Sequence, residues 1–237
     1  MSGFRAEGAS PAENEMQRTQ GNGEETPEHG ELPTLSLIYE HHPTYGVDLF
    51  ISGKEGASDL DLLRRNGITT VVNCAVNLDF NYVRQPQAVS DPQGSIFGPG
   101  EIRYYKIGLI DGAGNPETQM VAAHYILRAA LEQVMPDKPS YPRRERGNIL
   151  VNCRGGRSRS VAVVALFLHL TLPEEFPTLD AAIALIRKRR ELPANEWYKA
   201  PKPVLADAAL QAAQWIRAID AAAHPDPLPD AVLRNVI

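Results

Sequence analysis

Cysteine is scarce: the 237 residues include only Cys74 and Cys153. Two thiols do not make a disulfide-stapled secreted scaffold, so the chain is expected to depend on a hydrophobic core in a reducing compartment. Basic excess is missing as well. The formal net charge is -5, and residues 1–34 hold seven glutamates against two arginines, leaving 22 acidic and 22 basic residues in the rest of the chain. A neutral body argues against a general nucleic-acid binder, which needs a basic face to neutralise phosphates, so any anion site must be local. Long apolar runs are also absent. Val161 to Leu172 is the longest, is interrupted by His169, and is too short to cross a bilayer. No apolar leader, Met-Gly start or prenylation box is seen, so the expectation is a cytoplasmic protein without an integral membrane segment. No cysteine–histidine spacing suits zinc, and the adjacent His41 and His42 cannot share a helix face, so no metal or other cofactor is expected.

The hydrophobic fraction of 43% is enough for one substantial core. Residues 1–34 have Phe4 as their only aromatic and are rich in Gly, Glu, Ser, Thr, Asn and Gln. They read as a disordered acidic tail that cannot offset its ordering entropy by burial. A catalytic domain is expected over 35–222, with 223–237 as a C-terminal extension. Within the domain, strands are predicted at Asp48–Ser52, Ile68–Val76, Arg103–Ile107 and Asn148–Asn152. Helices are predicted from Ser58 as a cap to Asn66, and over Pro116–Met135, Ser160–Leu170, Thr178–Glu191 and Val204–Ala222. Residues 79–100, with three prolines and several glycines, read as a long loop that can help recognise substrate. Alternating strands and helices point to an α/β fold: a central, mostly parallel sheet flanked by helices. Arg143, Arg144 and Arg146 read as a solvated connector.

The segment Val151-Asn-Cys-Arg-Gly-Gly-Arg-Ser-Arg-Ser160 carries the chemistry. A buried strand ends, seven residues run from Cys153 to Arg159, and a helix follows at once. Such a turn aims successive backbone N–H groups and a positive helix terminus at one point, a cradle suited to a tetrahedral phosphate. Gly155 and Gly156 let the backbone curl. Arg159 can return its planar fork to two phosphate oxygens. Arg154, Arg157 and Ser158 complete the predicted substrate-binding set. The same field should hold Cys153 as a thiolate nucleophile, and Ser160 can donate to the sulfur and ease its later departure. The bland alternative is a buried core thiol, against which the three surrounding arginines weigh.

These residues resemble the Cys-x5-Arg-Ser/Thr signature of the protein tyrosine phosphatase superfamily, and most closely its small dual-specificity branch. The resemblance runs from about Asp48 to about Asn195, taking in Leu49-Phe-Ile-Ser-Gly53, Asp59-Leu-Asp-Leu-Leu63, Gly67-Ile-Thr and Arg187-Lys-Arg-Arg190 through Asn195. It implies a dual-specificity phosphatase-like fold and a metal-free reaction through a phosphocysteine. The rhodanese loop, also a cysteine cradle at a helix start, is shorter and places its arginine earlier.

The resemblance further implies that Asp111, in Ile107-Gly-Leu-Ile-Asp-Gly112, protonates the leaving group, with Gly112-Ala-Gly114 letting the loop move. The alternative for Asp111 is a turn cap ahead of a helix. Asn152 departs from the pattern, which has histidine there. Asparagine cannot carry a charge, so a more alkaline thiolate than the family's is expected. Cys74 falls at a strand end and can be read as a redox partner for an oxidised Cys153, as in some relatives, or as a small buried hydrophobe. The expected substrate is phosphotyrosine or phosphoserine/threonine in proteins. The alternatives are a phosphoinositide or other small anionic phosphate ester, or phosphate binding with little turnover because of Asn152. Protein partners are not legible.

Overall fold

The computed structural model describes residues 32–83, 97–139, 141, 144–194 and 200–223. The predicted acidic tail (except its last residues 32–34), most of the 79–100 loop, Arg143, Asn195 and the C-terminal extension beyond Ala223 lie outside the described residues. Eleven elements are described. They run β1 (Leu35–Tyr39), β2 (Leu49–Ser52), α1 (Lys54–Ser58), α2 (Leu60–Arg65), β3 (Ile68–Ala75), β4 (Arg103–Leu109), α3 (Gln119–Glu132), β5 (Asn148–Asn152), α4 (Arg159–Thr171), α5 (Leu179–Arg189) and α6 (Pro203–Ala223).

The strands form one sheet in the order β1-β2-β5-β3-β4. β1 runs antiparallel to β2, and the other pairings are parallel. Parallel strands covered on both faces need apolar side chains in both directions, which the sequences Leu-Phe-Ile, Val-Val and Ile-Leu-Val supply. Leu49, Ile51, Val72, Cys74, Ile149 and Val151 join the large core with α3, α4, α5 and α6. Phe50, Val71 and Leu150 face the other way, onto Ala57, Leu63 and Tyr82. α4 is the innermost helix, with every residue from Arg159 to His169 buried. Among the described residues, no helix is long and apolar enough to cross a membrane.

Several local expectations change. β1 was not anticipated; its burial alternates over only five residues, a weak signal at an edge. The predicted helix from Ser58 is two short helices, and the cap of the second is Asp59, whose carboxylate accepts from Leu62 N–H at 2.9 Å. Ser58 instead donates to Glu55 O. α3 is shorter than Pro116–Met135, its first regular turn beginning at Gln119. β4 runs two residues further, to Leu109, bringing it directly up to Asp111. Arg144 pairs with Asp137, so this part of the arginine run has a partner.

Candidate active site

β5 sits in the middle of the sheet between β2 and β3, and its carboxyl end releases the chain into the loop that returns as α4. Ligand sites of open α/β sheets fall at such an end. Gly156 makes the turn possible: it has φ 64°, and a Cβ there would lie 2.6 Å from the Ser52 carbonyl carbon and 2.7 Å from its oxygen. Both atoms are backbone and cannot move aside, so only glycine fits.

Cys153 is 3% exposed, at the floor of the loop. Its Sγ lies 3.3 Å from Ser160 Oγ. Burial pushes the thiol pKa up. The Ser160 hydroxyl, the backbone N–H groups of Ser160 and Arg157, and the charge of Arg159 together outweigh it, and the net direction is down. Ser158 occupies the N-cap of α4, yet its side chain makes no capping bond. Its hydroxyl accepts from Lys202 N–H at 2.9 Å instead. The unclaimed N–H groups of a helix's first turn are those that serve an anion, and here Ser160 N–H turns to the sulfur.

Arg159 is 3% exposed. Its Nη1 donates to Asn77 Oδ1 and to Leu109 O, each at 3.2 Å, which aims the guanidinium from the ends of β3 and β4. Its Nε is buried with no hydrogen-bond partner and lies 4.0 Å from Asp111 Oδ1. Asp111 is exposed at the rim, and Lys202 Nζ donates to its carbonyl at 2.7 Å. Arg154 is exposed, Arg157 half-buried, and Gly155 open to solvent. The loop thus brings together Cys153, Arg159, Ser160 and Asp111, while Arg154 lies on its outer side.

Asn152 is fully buried. Its Nδ2 reaches Cys153 O only at 3.5 Å, and its Oδ1 has no partner. Cys74 is wholly buried in the core that also holds Cys153. Burial pushes its thiol well above the ordinary value, the Cys153 charge adds to this, and Arg159 partly offsets it.

Three positions were not singled out as site residues in the sequence, Arg190 having been quoted only within the Arg187–Arg190 resemblance. Asn77 stood one residue past a predicted strand end, a position that points to a site in this architecture. Arg190 and Lys202 carried no comparable signal. Arg190 is 1% exposed and reaches the loop from the end of α5.

No family model matches the chain. Solved structures do. A mouse chain described as a putative dual-specificity phosphatase, solved with zinc tungstate, superposes with a TM-score of 0.51 at 21% identity, covering 81% of this chain and 93% of its own. A single-substitution form of human DUSP28 gives 0.50 at 19%, covering 79% and 99%. The chain has the dual-specificity phosphatase fold. The expected fold class is therefore correct, including the mostly parallel sheet with helices on both faces. The likeness reaches nearly the whole length of those chains.

Proposed function

We propose that this chain is a cysteine-dependent phosphatase acting on phosphomonoesters, with phosphotyrosine and phosphoserine/threonine in proteins as first-choice substrates. The observation that carries the reading is the convergence on Cys153 Sγ of the Ser160 hydroxyl and the Ser160 and Arg157 N–H groups, beside a buried Arg159 whose Nε has no hydrogen-bond partner. A lone buried thiol has no use for such a cradle. A phosphoryl group above the sulfur would meet the same N–H groups and the Arg159 fork.

The Cys153 thiolate attacks phosphorus; an S–P bond forms as the ester P–O bond breaks. Asp111 gives its proton to the departing oxygen, so an alcohol or phenol leaves rather than its anion. Water then attacks phosphorus and passes a proton to the Asp111 carboxylate. The S–P bond breaks with its electron pair on sulfur, which Ser160 stabilises, and inorganic phosphate departs. Arg159 holds the equatorial oxygens throughout. No step calls for a metal.

A second reading, phosphate binding with little turnover, is favoured by Asn152, whose unpartnered Oδ1 adds no positive charge behind the sulfur. Hydrolysis of p-nitrophenyl phosphate in EDTA, with Cys153→Ser and Asp111→Asn beside wild type, separates the two. Turnover abolished by Cys153→Ser supports the phosphatase. A folded, inert wild type that still binds tungstate supports the binder. A phosphopeptide panel beside phosphoinositides, ranked by kcat/KM, tests the preferred substrate class.

A further inference from the structure

The loop carrying Asp111 is internally knitted. Asn115 Oδ1 accepts from Ile110 N–H at 2.8 Å, and its Nδ2 donates to Ile110 O and Gly112 O, both at 3.0 Å. One side chain thus ties residues 110–115 together. Beside this segment lies a cavity of about 440 Å³, bordered by Leu109, Gly112, Met120, Leu205 and Trp215. The loop therefore has fewer packing contacts on the side that borders this cavity, and polar contacts carry more of its positioning.

Lys202 reaches the same loop from the entry to α6. Its Nζ donates to Asp111 O at 2.7 Å and stands 3.7 Å from Asp111 Oδ2. Its backbone N–H donates to Ser158 Oγ, at the cap of α4. One residue at the entry to α6 thereby addresses the loop with the carboxyl group and the loop with the cysteine. The ammonium stem is half-exposed, so its removal opens no core.

We propose that Lys202 is a positioning residue that latches the Asp111 loop to the phosphate-binding loop and sets the reach of the Asp111 carboxyl group to the leaving oxygen. Its catalytic consequence rests on the phosphatase reading. Proton donation matters most for poor leaving groups, so loss of the latch falls unevenly across substrates, unlike a general loosening of the fold.

The test uses the full chain, with Lys202→Met and Lys202→Arg, on phenyl phosphate and p-nitrophenyl phosphate. In Lys202→Met, kcat/KM for phenyl phosphate is expected to fall about tenfold and that for p-nitrophenyl phosphate no more than about twofold, with Lys202→Arg recovering most of the loss. Combined with Asp111→Asn, Lys202→Met should add no further loss, since it acts through that carboxyl group. An equal fall for both esters, no fall, or an additive loss overturns the latch. A wild type inert toward both esters instead removes the phosphatase reading. NMR order parameters for residues 110–114 then decide the latch: lower values in Lys202→Met uphold it, and unchanged values overturn it.

Discussion

Arg190 Nε donates to the carbonyl of Gly156 at 3.2 Å, the residue at which the Cys153–Arg159 loop makes its left-handed turn. Its Nη1 donates to Pro33 O at 2.7 Å, Ser36 Oγ at 3.0 Å and Ile51 O at 3.5 Å. A guanidinium is thus spent on neutral acceptors in the interior, and burial pulls its pKa down to about 10 while the Cys153 thiolate pushes it back up. Truncation leaves several buried acceptors unpaired. Arg190→Met should destabilise the fold by on the order of 2–4 kcal/mol in urea unfolding. It should also lower kcat/KM by roughly a hundredfold where folded, because the loop loses its backing. Full activity in a folded Arg190→Met would show that the loop holds itself.

The two thiols should separate by reactivity. Cys153 is held below the ordinary thiol range and Cys74 well above it. Iodoacetamide at neutral pH should alkylate Cys153 first and Cys74 only on unfolding. Mild peroxide should yield no Cys74–Cys153 crosslink under non-reducing mass spectrometry, since Cys74 supplies almost no thiolate to attack an oxidised Cys153. A crosslink at equilibrium would support the redox-partner role.

Asn152, next to Cys153 in the chain, leaves a buried oxygen without a hydrogen-bond partner. Asn152→His should shift the acidic limb of the kcat/KM profile to lower pH by about one unit, a tenfold gain in thiolate on that limb. An unmoved limb would mean that the cradle alone sets the thiol.

His124 supplies a pH dependence independent of the site. Burial lowers its pKa to about 4, with Arg128 acting the same way and Asp220 and Glu132 opposing. The unfolded chain therefore binds a proton between about 6.5 and about 4 that the folded chain refuses. Stability is intact above the upper value and lost as pH falls through that window, by roughly 3 kcal/mol in all. His124→Gln should flatten this part of the stability curve. A wild-type melting temperature constant from pH 7 to 4.5 would contradict it.

The loop was legible because its chemistry is local: strand end, glycines, arginine and helix start lie within ten consecutive residues. The sheet was legible from β-branched runs that bury both faces. Arg190 and Lys202 were not, since they act on backbone carbonyls and a hydroxyl from more than thirty residues away, and carbonyls have no sequence signature. The cap at Asp59 was missed beside Ser58 because both residue types cap helices, and only backbone angles choose between them. Ser158 was misleading in the opposite sense: a good capping residue whose hydroxyl is engaged elsewhere.

α4 begins at the arginine of the site and is buried from there to His169. The loop that carries Cys153 is therefore joined directly to the most enclosed helix of the described residues. Heat, denaturant or a cavity-forming substitution anywhere along Val161–Leu168 would register at Cys153 as one event, so residual activity should trace the fraction of folded molecules. Tuning such a protein without breaking it is left to the rim, where Asp111 and Lys202 meet solvent.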